Sequence, residues 1–258
     1  MRSIIFDIDG CLVDTTYRST IDLDRFRNLV NKGISRGIGF SMNSNRSLEY
    51  ILDFYRIFGF NGKIIGECGA FFYSPSTGET EGYFNSQIDR DKLVDTLRGF
   101  SDDILFCDTD SALKVRHDKK KIFLEDSRRY TMTVYPRDYT TEMTYNEEML
   151  DEVKAVLMPE FKDYSIESNM VYGNILLTPN GLSKGALMGK IEGPKAAFGD
   201  TEQDISMMEA SDFRGAPGNC TPGMKEYILE SGGFQSDKVY TAAAYEFIQE
   251  VMGTCASQ

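Results

Sequence analysis

The chain has 258 residues, of which 41% are hydrophobic and 26% are charged, and its formal net charge is -12. This length suffices for one large domain or for two modest ones, and the composition is that of an ordinary globular protein. The negative charge argues against a nucleic acid as a partner, because the release of counterions from a phosphate backbone needs a basic face.

The first predicted element is a short apolar run, Ile4 to Phe6, which is typical of a fully buried strand. Asp7 and Asp9 follow it, one residue apart, and Gly10 comes next. Ligands of an open parallel α/β sheet bind outside the carboxyl ends of its strands, and extended backbone points the two aspartates to the same side. Because buried charges persist only when they are paired, metal-bound or hydrogen-bonded, this strand end indicates a reactive centre.

Strand and helix signals alternate along the next part of the chain. Apolar residues recur at helical spacing over 22–36, residues 38–42 predict a second strand, and the polar corner 43–46 opens another helix. Residues 63–65 predict a third short strand. This alternation favours βαβ units and a parallel sheet.

A second pattern begins near residue 74. Residues 74–82 are polar and rich in turn formers, which indicates a linker. Helices are then predicted near 90–100 and 146–158, and strands at 103–108, 111–116, 121–125, 130–135, 163–168 and 171–178. Strands with few helices between them are typical of an antiparallel sheet with helices on one face. We therefore expect a core over 1–82, a separate α+β unit over 83–178 and the remainder of the core over 179–258.

The last segment returns to the first pattern after a turn at 179–181. The sequence predicts a helix that carries Lys184, a short strand over 196–198 that runs into Asp200, and a helix that starts near Glu202. Two further strand–helix pairs are predicted over 213–230 and 238–253. These elements extend the parallel sheet.

Polar residues thus stand at core strand ends or helix starts in four places. They are Asp7 with Asp9, Ser44, Lys184, and Asp200 with Asp204. Each place alone has an ordinary structural explanation, such as a turn, a helix cap or an exposed first helical turn. In this order and topology the four together are far more specific.

These places resemble the four sequence motifs of the haloacid dehalogenase superfamily. The matching residues are 7–10 (Asp-Ile-Asp-Gly), 44–46 (Ser-Asn-Arg), Lys184 with Gly185, and 199–204 (Gly-Asp-Thr-Glu-Gln-Asp). The insert between the second and third motifs looks like the larger α+β cap of this superfamily, as in phosphoglycolate, sugar-phosphate, sucrose-phosphate and mannosyl-phosphoglycerate phosphatases. Residues 67–70 (Glu-Cys-Gly-Ala) are similar to the Glu-Asn-Gly-Ala segment often seen before that cap. The resemblance implies an α/β fold, with a Rossmann-like parallel-sheet core and an inserted α+β cap domain.

The resemblance also implies a phosphatase that depends on Mg²⁺. Asp7 is the expected nucleophile, which forms an aspartyl-phosphate intermediate, and Asp9 is the expected acid and base. The expected metal ligands are the carboxylates of Asp7 and Asp200 and the backbone carbonyl of Asp9. Asp204 is expected either to bind a metal water or to hold Lys184.

The phosphoryl group is expected to bind at Ser44, at the backbone N–H of Asn45 and at Lys184. Arg46 is expected to contact substrate or to pair with a neighbouring acid. Gln203, which stands where Asn is usual in the family, completes the expected substrate-binding set.

Three positions near these motifs need separate comment. Cys11 stands where Thr is usual, and we interpret it as a small buried packing residue. Ser44 replaces the commoner Thr. Asn43 is the alternative to Ser44 if the preceding strand is one residue shorter. None of these departures removes a carboxylate or Lys184.

Five widely spaced cysteines with no CxxC pair predict neither a zinc site nor a disulfide framework. This fits a reducing compartment. The start carries no signal-peptide pattern, and no apolar run is long enough to span a membrane. We therefore expect a cytoplasmic protein with no membrane partner. The one basic run, Lys119 to Lys121, is interpreted as a solvated loop, and attraction of an anionic substrate is the alternative.

The expected partner is a small phosphorylated metabolite, namely phosphoglycolate, a sugar phosphate or a phosphoglycerate derivative, and the cap is expected to select it. Two alternatives stay open. One is a phosphotransferase such as phosphomannomutase, which shares the aspartyl-phosphate chemistry. The other is a non-catalytic sugar-phosphate-binding protein, against which the retained Asp7, Asp9, Lys184 and Asp200 argue.

Overall fold

The computed structural model describes residues 2–254 except positions 15, 17, 84–86, 109–118, 141–142 and 171. The chain divides into two compact units. One contains residues 1–83 and 183–258, so both ends of the chain build it, and the other contains residues 84–182. The chain therefore leaves the first unit once and returns to it once.

Strands and helices alternate along the first unit, whereas strands dominate the second. The strands are β1 (Ser3–Phe6), β2 (Gly39–Asn43), β3 (Ile64–Gly66), β4 (Phe71–Ser74), β5 (Glu79–Gly82), β6 (Ile104–Cys107), β7 (Lys120–Glu125), β8 (Met132–Asp138), β9 (Tyr164–Asn169), β10 (Asn174–Pro179), β11 (Lys195–Phe198), β12 (Phe213–Ala216) and β13 (Phe234–Gln235). The helices are α1 (Leu23–Ile34), α2 (Leu48–Phe58), α3 (Arg90–Leu97), α4 (Glu147–Leu157), α5 (Ile205–Glu209), α6 (Pro222–Glu230) and α7 (Tyr240–Thr254).

The described strands of the first unit form one sheet in the order β13-β12-β11-β1-β2-β3-β4-β5. Pairing is parallel from β13 to β3 and antiparallel from β3 to β5. The parallel core confirms the predicted α/β fold. Local signals fix the helices: Asp22 caps α1 by accepting a hydrogen bond from the Arg25 N–H, and Gly59 ends α2 at a φ of 71°.

The centre of the sheet determines where the polar strand ends meet. β1 lies between β11 and β2, with parallel registers on both sides. Parallel neighbours end at the same edge, so the residues that follow these strands come together. Asp7 follows β1, Ser44 follows β2 and Asp200 follows β11.

Aromatic rings fill the core on one side of this sheet. Phe247 of α7 lies 4.9 Å from Phe198, 5.6 Å from Phe213 and 6.2 Å from Phe6, measured between ring centroids. Phe247 is fully buried. Its ring therefore joins the last helix to strands β1, β11 and β12.

Two predictions for the first unit are wrong in detail. Residues 74–82, predicted as a linker, form most of the antiparallel hairpin β4–β5 at the sheet edge, with Gly78 in its turn. Turn formers mark both a linker and a hairpin turn, and the pairing partner decides between them. The last strand lies at 234–235, ahead of the predicted start at 238.

The second unit contains a sheet of five described strands in the order β6-β7-β8-β10-β9. β6 and β7 are parallel, and the other neighbours are antiparallel. The helices α3 and α4 bury apolar side chains against the sheet, including Leu93, Leu97, Leu150, Val153 and Leu157. The helices and the antiparallel pairs agree with the α+β pattern predicted from the sequence, whereas the parallel pair β6–β7 departs from the antiparallel sheet expected there.

One prediction for the second unit is wrong, and another falls outside the described residues. Lys120 and Lys121 belong to β7. Lys121 is buried, and its Nζ lies 3.1 Å from the Asp103 Oδ2. The prediction of a solvated loop is therefore wrong for both residues. The predicted strand 111–116 lies outside the described residues. No helix in the described part of the chain has the length and apolar character to cross a membrane.

Replacing Phe247 by Ala should lower the free energy of unfolding of the first unit by about 3–5 kcal/mol, because it removes a fully buried ring. Urea unfolding followed by circular dichroism measures the change. Leu229→Ala is the control, because Leu229 is 65% exposed. Equal effects of the two substitutions would contradict the packing described for Phe247.

Candidate active site

A buried lysine joins two aspartates at the centre of the site. The Lys184 Nζ lies 2.9 Å from the Asp7 Oδ1 and donates a hydrogen bond of 2.6 Å to the Asp204 Oδ1. All three side chains are buried. Burial lowers the pKa of the Lys184 ammonium, but Asp204 and Asp7 outweigh that effect and raise it above the ordinary value. Lys184 is therefore charged at neutral pH.

Lys184 lies in a turn ahead of a short 3₁₀ helix at Met188–Lys190, so the prediction of a helix at this position is wrong. The Asn43 Nδ2 donates to the Lys184 carbonyl at 2.7 Å and fixes the turn from β2. Gly69 approaches the same turn: a Cβ at residue 69 would fall 2.0 Å from the Ser183 carbonyl oxygen. The turn is thus held through its backbone.

Asp204 uses both carboxylate oxygens within the protein. Its Oδ1 accepts from Lys184, and its Oδ2 accepts from the N–H groups of Asp200 at 3.0 Å and Thr201 at 3.2 Å. Asp204 ends a short 3₁₀ helix that starts at Glu202. Of the two roles expected for Asp204, these contacts correspond to the one that holds Lys184.

Asp7, Asp200 and Cys11 form a second cluster. Their ligand atoms all lie within 4.8 Å of one another. Burial raises the pKa of the Asp7 carboxyl, Lys184 opposes this, and Asp204 adds to it. Burial also raises the pKa of Asp200, and the neighbouring charge of Asp7 adds to the effect. Asp7 is buried and Asp200 is half-buried. Two such carboxylates that repel each other suit a hard divalent cation, which removes the repulsion and prefers oxygen ligands. The donor set therefore fits the expected Mg²⁺.

Cys11 contributes more than the packing expected of it. Its thiol donates to the Asp200 Oδ1 at 3.6 Å, and its side chain is fully buried. Burial raises the pKa of the Cys11 thiol, and Asp200 adds to that effect. The thiol is therefore neutral at physiological pH and orients one of the two carboxylates.

Ser44 and its neighbours form a corner after β2. Ser44 is buried, and its Oγ accepts from the Arg46 N–H at 3.3 Å. The Asn45 Nδ2 donates to the Gln203 Oε1 at 2.7 Å. Because the Asn43 side chain already binds Lys184, Ser44 is the residue of this corner better suited to receive a ligand.

Asp9 lies on the more exposed side of the site. Its two carboxylate oxygens accept from Arg46, at 2.9 Å from Nε and 3.2 Å from Nη2. Of the two roles expected for Arg46, the structure contains the pairing with a neighbouring acid.

Sequence reasoning missed several residues that hold this site. Asn219 donates to the Gly10 carbonyl at 2.8 Å and accepts from the Tyr240 N–H at 3.1 Å. Glu67 and Cys68 adopt left-handed φ values of 48° and 62°, which few residues other than glycine adopt. The similarity of 67–70 to a family segment was the one sequence signal for this strained turn.

Comparisons with known proteins give a family and a fold. A family model described as haloacid dehalogenase-like hydrolase matches residues 4–231. The comparison with curated proteins gives no match. The structure is similar to a haloacid dehalogenase-like hydrolase from Bacteroides thetaiotaomicron, with 15% identity over 97% of this chain and 99% of that chain and a TM-score of 0.71.

Two further solved structures are similar. A haloacid dehalogenase-like hydrolase from B. subtilis has 17% identity over 96% of this chain and 99% of that chain, with a TM-score of 0.62. A sucrose-phosphatase from Synechocystis sp., solved with sucrose and phosphate, has 16% identity over 97% of this chain and 98% of that chain, with a TM-score of 0.59. At these identities the similarity to solved structures shows the fold alone.

Gly10 and Gly37 offer a matched test of the site, because both have a φ of 80°. A Cβ at residue 10 would fall 2.0 Å from the Asp200 Oδ2, whereas no atom of the described residues lies within 4 Å of a Cβ at residue 37. Gly37→Ala should lower the free energy of unfolding by about 1–2 kcal/mol from backbone strain alone. Gly10→Ala should lower it by about 1–3 kcal/mol more, because Asp200 must move. Equal values in urea unfolding would contradict the contact.

Proposed function

Because the chain belongs to the haloacid dehalogenase-like hydrolase family, we propose that it is an Mg²⁺-dependent phosphatase that hydrolyses the monoester of a small organophosphate. The supporting observation is the ammonium of Lys184 between Asp7 and Asp204, with Asp200 beside Asp7. This arrangement brings a carboxylate nucleophile, a fixed positive charge and a cation site together. The proposal is also supported by the similar fold of a sucrose-phosphatase that was solved with sucrose and phosphate.

In the proposed first step, a carboxylate oxygen of Asp7 attacks the phosphorus, and the bond from phosphorus to the leaving oxygen breaks. Asp9 gives its proton to the leaving alcohol. Asp7 then carries the phosphoryl group as an aspartyl-phosphate. Lys184, 2.9 Å from the Asp7 Oδ1, orients the carboxylate and offsets negative charge on the transferred group.

In the second step a water molecule attacks the aspartyl-phosphate, and Asp9 accepts its proton. Free phosphate leaves, and the Asp7 carboxylate is restored. Asp7 and Asp200 would hold the Mg²⁺, which when bound neutralises the phosphate and lets a carboxylate approach a dianion.

The phosphoryl oxygens are proposed to bind at the corner after β2. Ser44 supplies a hydroxyl there, and Asn45 supplies a backbone N–H. The contact of Asn45 with Gln203 ties this corner to the segment that carries Asp200 and Asp204. Substrate binding and cation binding thus involve connected segments.

The second unit, residues 84–182, is proposed to act as the cap that selects the substrate. The proposed catalytic and metal-binding residues all belong to the first unit. A fold of this kind does not by itself determine a substrate. Phosphoglycolate, a sugar phosphate or a phosphoglycerate derivative is the proposed substrate class.

Asp7→Asn should lower the hydrolysis of p-nitrophenyl phosphate by at least about 10⁴-fold, because an amide is a poor nucleophile. Asp53→Asn is the matched control, since Asp53 is exposed on α2 and pairs only with a surface arginine among the contacts described for it. Its activity should equal that of the wild type. Phosphate release in the presence of Mg²⁺ measures both, and activity retained in Asp7→Asn or in a chelator would contradict the mechanism.

Asp200→Asn tests the cation site without an activity assay. The substitution removes one of two neighbouring carboxylates that repel each other, so the protein without Mg²⁺ should unfold at the same or a higher temperature. Saturating Mg²⁺ should stabilise the wild type, by about 2.7 kcal/mol at a hundred times the dissociation constant, and should have little effect on the variant. Thermal unfolding measures both effects. A wild-type response to Mg²⁺ that survives in Asp200→Asn would contradict the assignment.

A further inference from the structure

We infer that Arg46 is a positioning residue for Asp9: it fixes the plane of the carboxylate that exchanges protons with the leaving group and with water. This inference rests on the proposed hydrolase function. It is based on the geometry of the contact between the Arg46 and Asp9 side chains.

The contact between the two side chains is bidentate. The Arg46 Nε lies 2.9 Å from the Asp9 Oδ2, and the Nη2 lies 3.2 Å from the Oδ1. Two parallel charge-assisted hydrogen bonds fix the orientation of a carboxylate, which a single contact does not. The Arg46 side chain is 13% exposed and the Asp9 side chain 32% exposed, so the pair lies at the open side of the site.

Arg46 is itself held in place. Its N–H donates to the Ser44 Oγ at 3.3 Å, and its carbonyl accepts from the Glu67 N–H at 3.0 Å. Its guanidinium lies 4.6 Å from the centroid of the Tyr50 ring on α2. The guanidinium thus extends from a fixed backbone and rests on an aromatic face.

The pairing with Arg46 does not occupy every acceptor position of Asp9. Each carboxylate oxygen has two acceptor positions, so Asp9 can transfer a proton while Arg46 remains bound.

A series of para-substituted phenyl phosphates tests the inference without knowledge of the natural substrate. The esters in this series are similar in size. Their leaving groups differ in basicity, and therefore in how much they need a proton in order to depart. Arg46→Gln should lower kcat/KM, which reports formation of the aspartyl-phosphate, by about 10²-fold with phenyl phosphate and much less with p-nitrophenyl phosphate, whose leaving group departs readily as the anion. Asp9→Asn should give the same dependence on the leaving group, and adding Arg46→Gln to it should change little.

Arg56→Gln is the matched control, because Arg56 lies on α2 in an exposed pair with Asp53. It should behave as the wild type with every ester. An equal loss of kcat/KM in Arg46→Gln with all esters would overturn the inference, since a purely structural role predicts it. A higher KM with unchanged kcat would also overturn it, since that result assigns Arg46 to substrate binding.

A double-mutant cycle in thermal unfolding separates failure of this inference from failure of the proposed function. Asp9→Asn and Arg46→Gln should be coupled, so that the double variant differs from the sum of the single variants. Coupling with no hydrolysis of any ester by the wild type would support the pair and overturn the hydrolase function. Additive effects would overturn the inference whatever the activity.

Discussion

The contact on which the site depends is the ammonium of Lys184 between Asp7 and Asp204. It joins three segments that are distant along the chain: the end of β1, the turn at which the chain re-enters the first unit, and the segment after β11. A buried charge without a partner is very unfavourable, so each of these segments can be stable in its position only when the others are present. The parallel sheet brings the strand ends to one edge, and this contact then fixes the chemistry there.

The acidic side chains described in this site outnumber the basic ones that pair with them. Lys184 balances part of the charge of Asp7, Asp200 and Asp204, and Arg46 pairs with Asp9. Asp7, which is buried, and Asp200, which is half-buried, remain close together, and burial with mutual repulsion raises the pKa of both carboxyls. Such an arrangement weakens the protein locally and is typical of functional sites, where perturbed groups are retained for binding or reaction.

The sequence was informative where one residue pattern carries both structure and chemistry. An apolar strand followed by Asp7 and Asp9 predicted both a buried strand and a reactive strand end, and the order of strands and helices predicted the α/β core. The sequence was uninformative where a contact between residues distant along the chain determines the local conformation. The hairpin β4–β5 resembled a linker because its turn residues occur in both, and the turn at Lys184 resembled a helix. The roles of Asn43, Asn219 and Cys11 depend on partners far along the chain, which spacing does not reveal.

The division of the first unit between both ends of the chain has a consequence for biosynthesis. Domains generally fold as units while the ribosome is still at work, the earlier one first. Here Asp7 emerges before residues 84–182, but Lys184 and Asp204 emerge only after the whole of that segment has been made. The second unit is continuous in the sequence and can fold on emergence, whereas the nascent first unit lacks its central lysine and the strands β11 to β13. Strand β1 is therefore made before the second unit, whereas its neighbour β11 is made only after it.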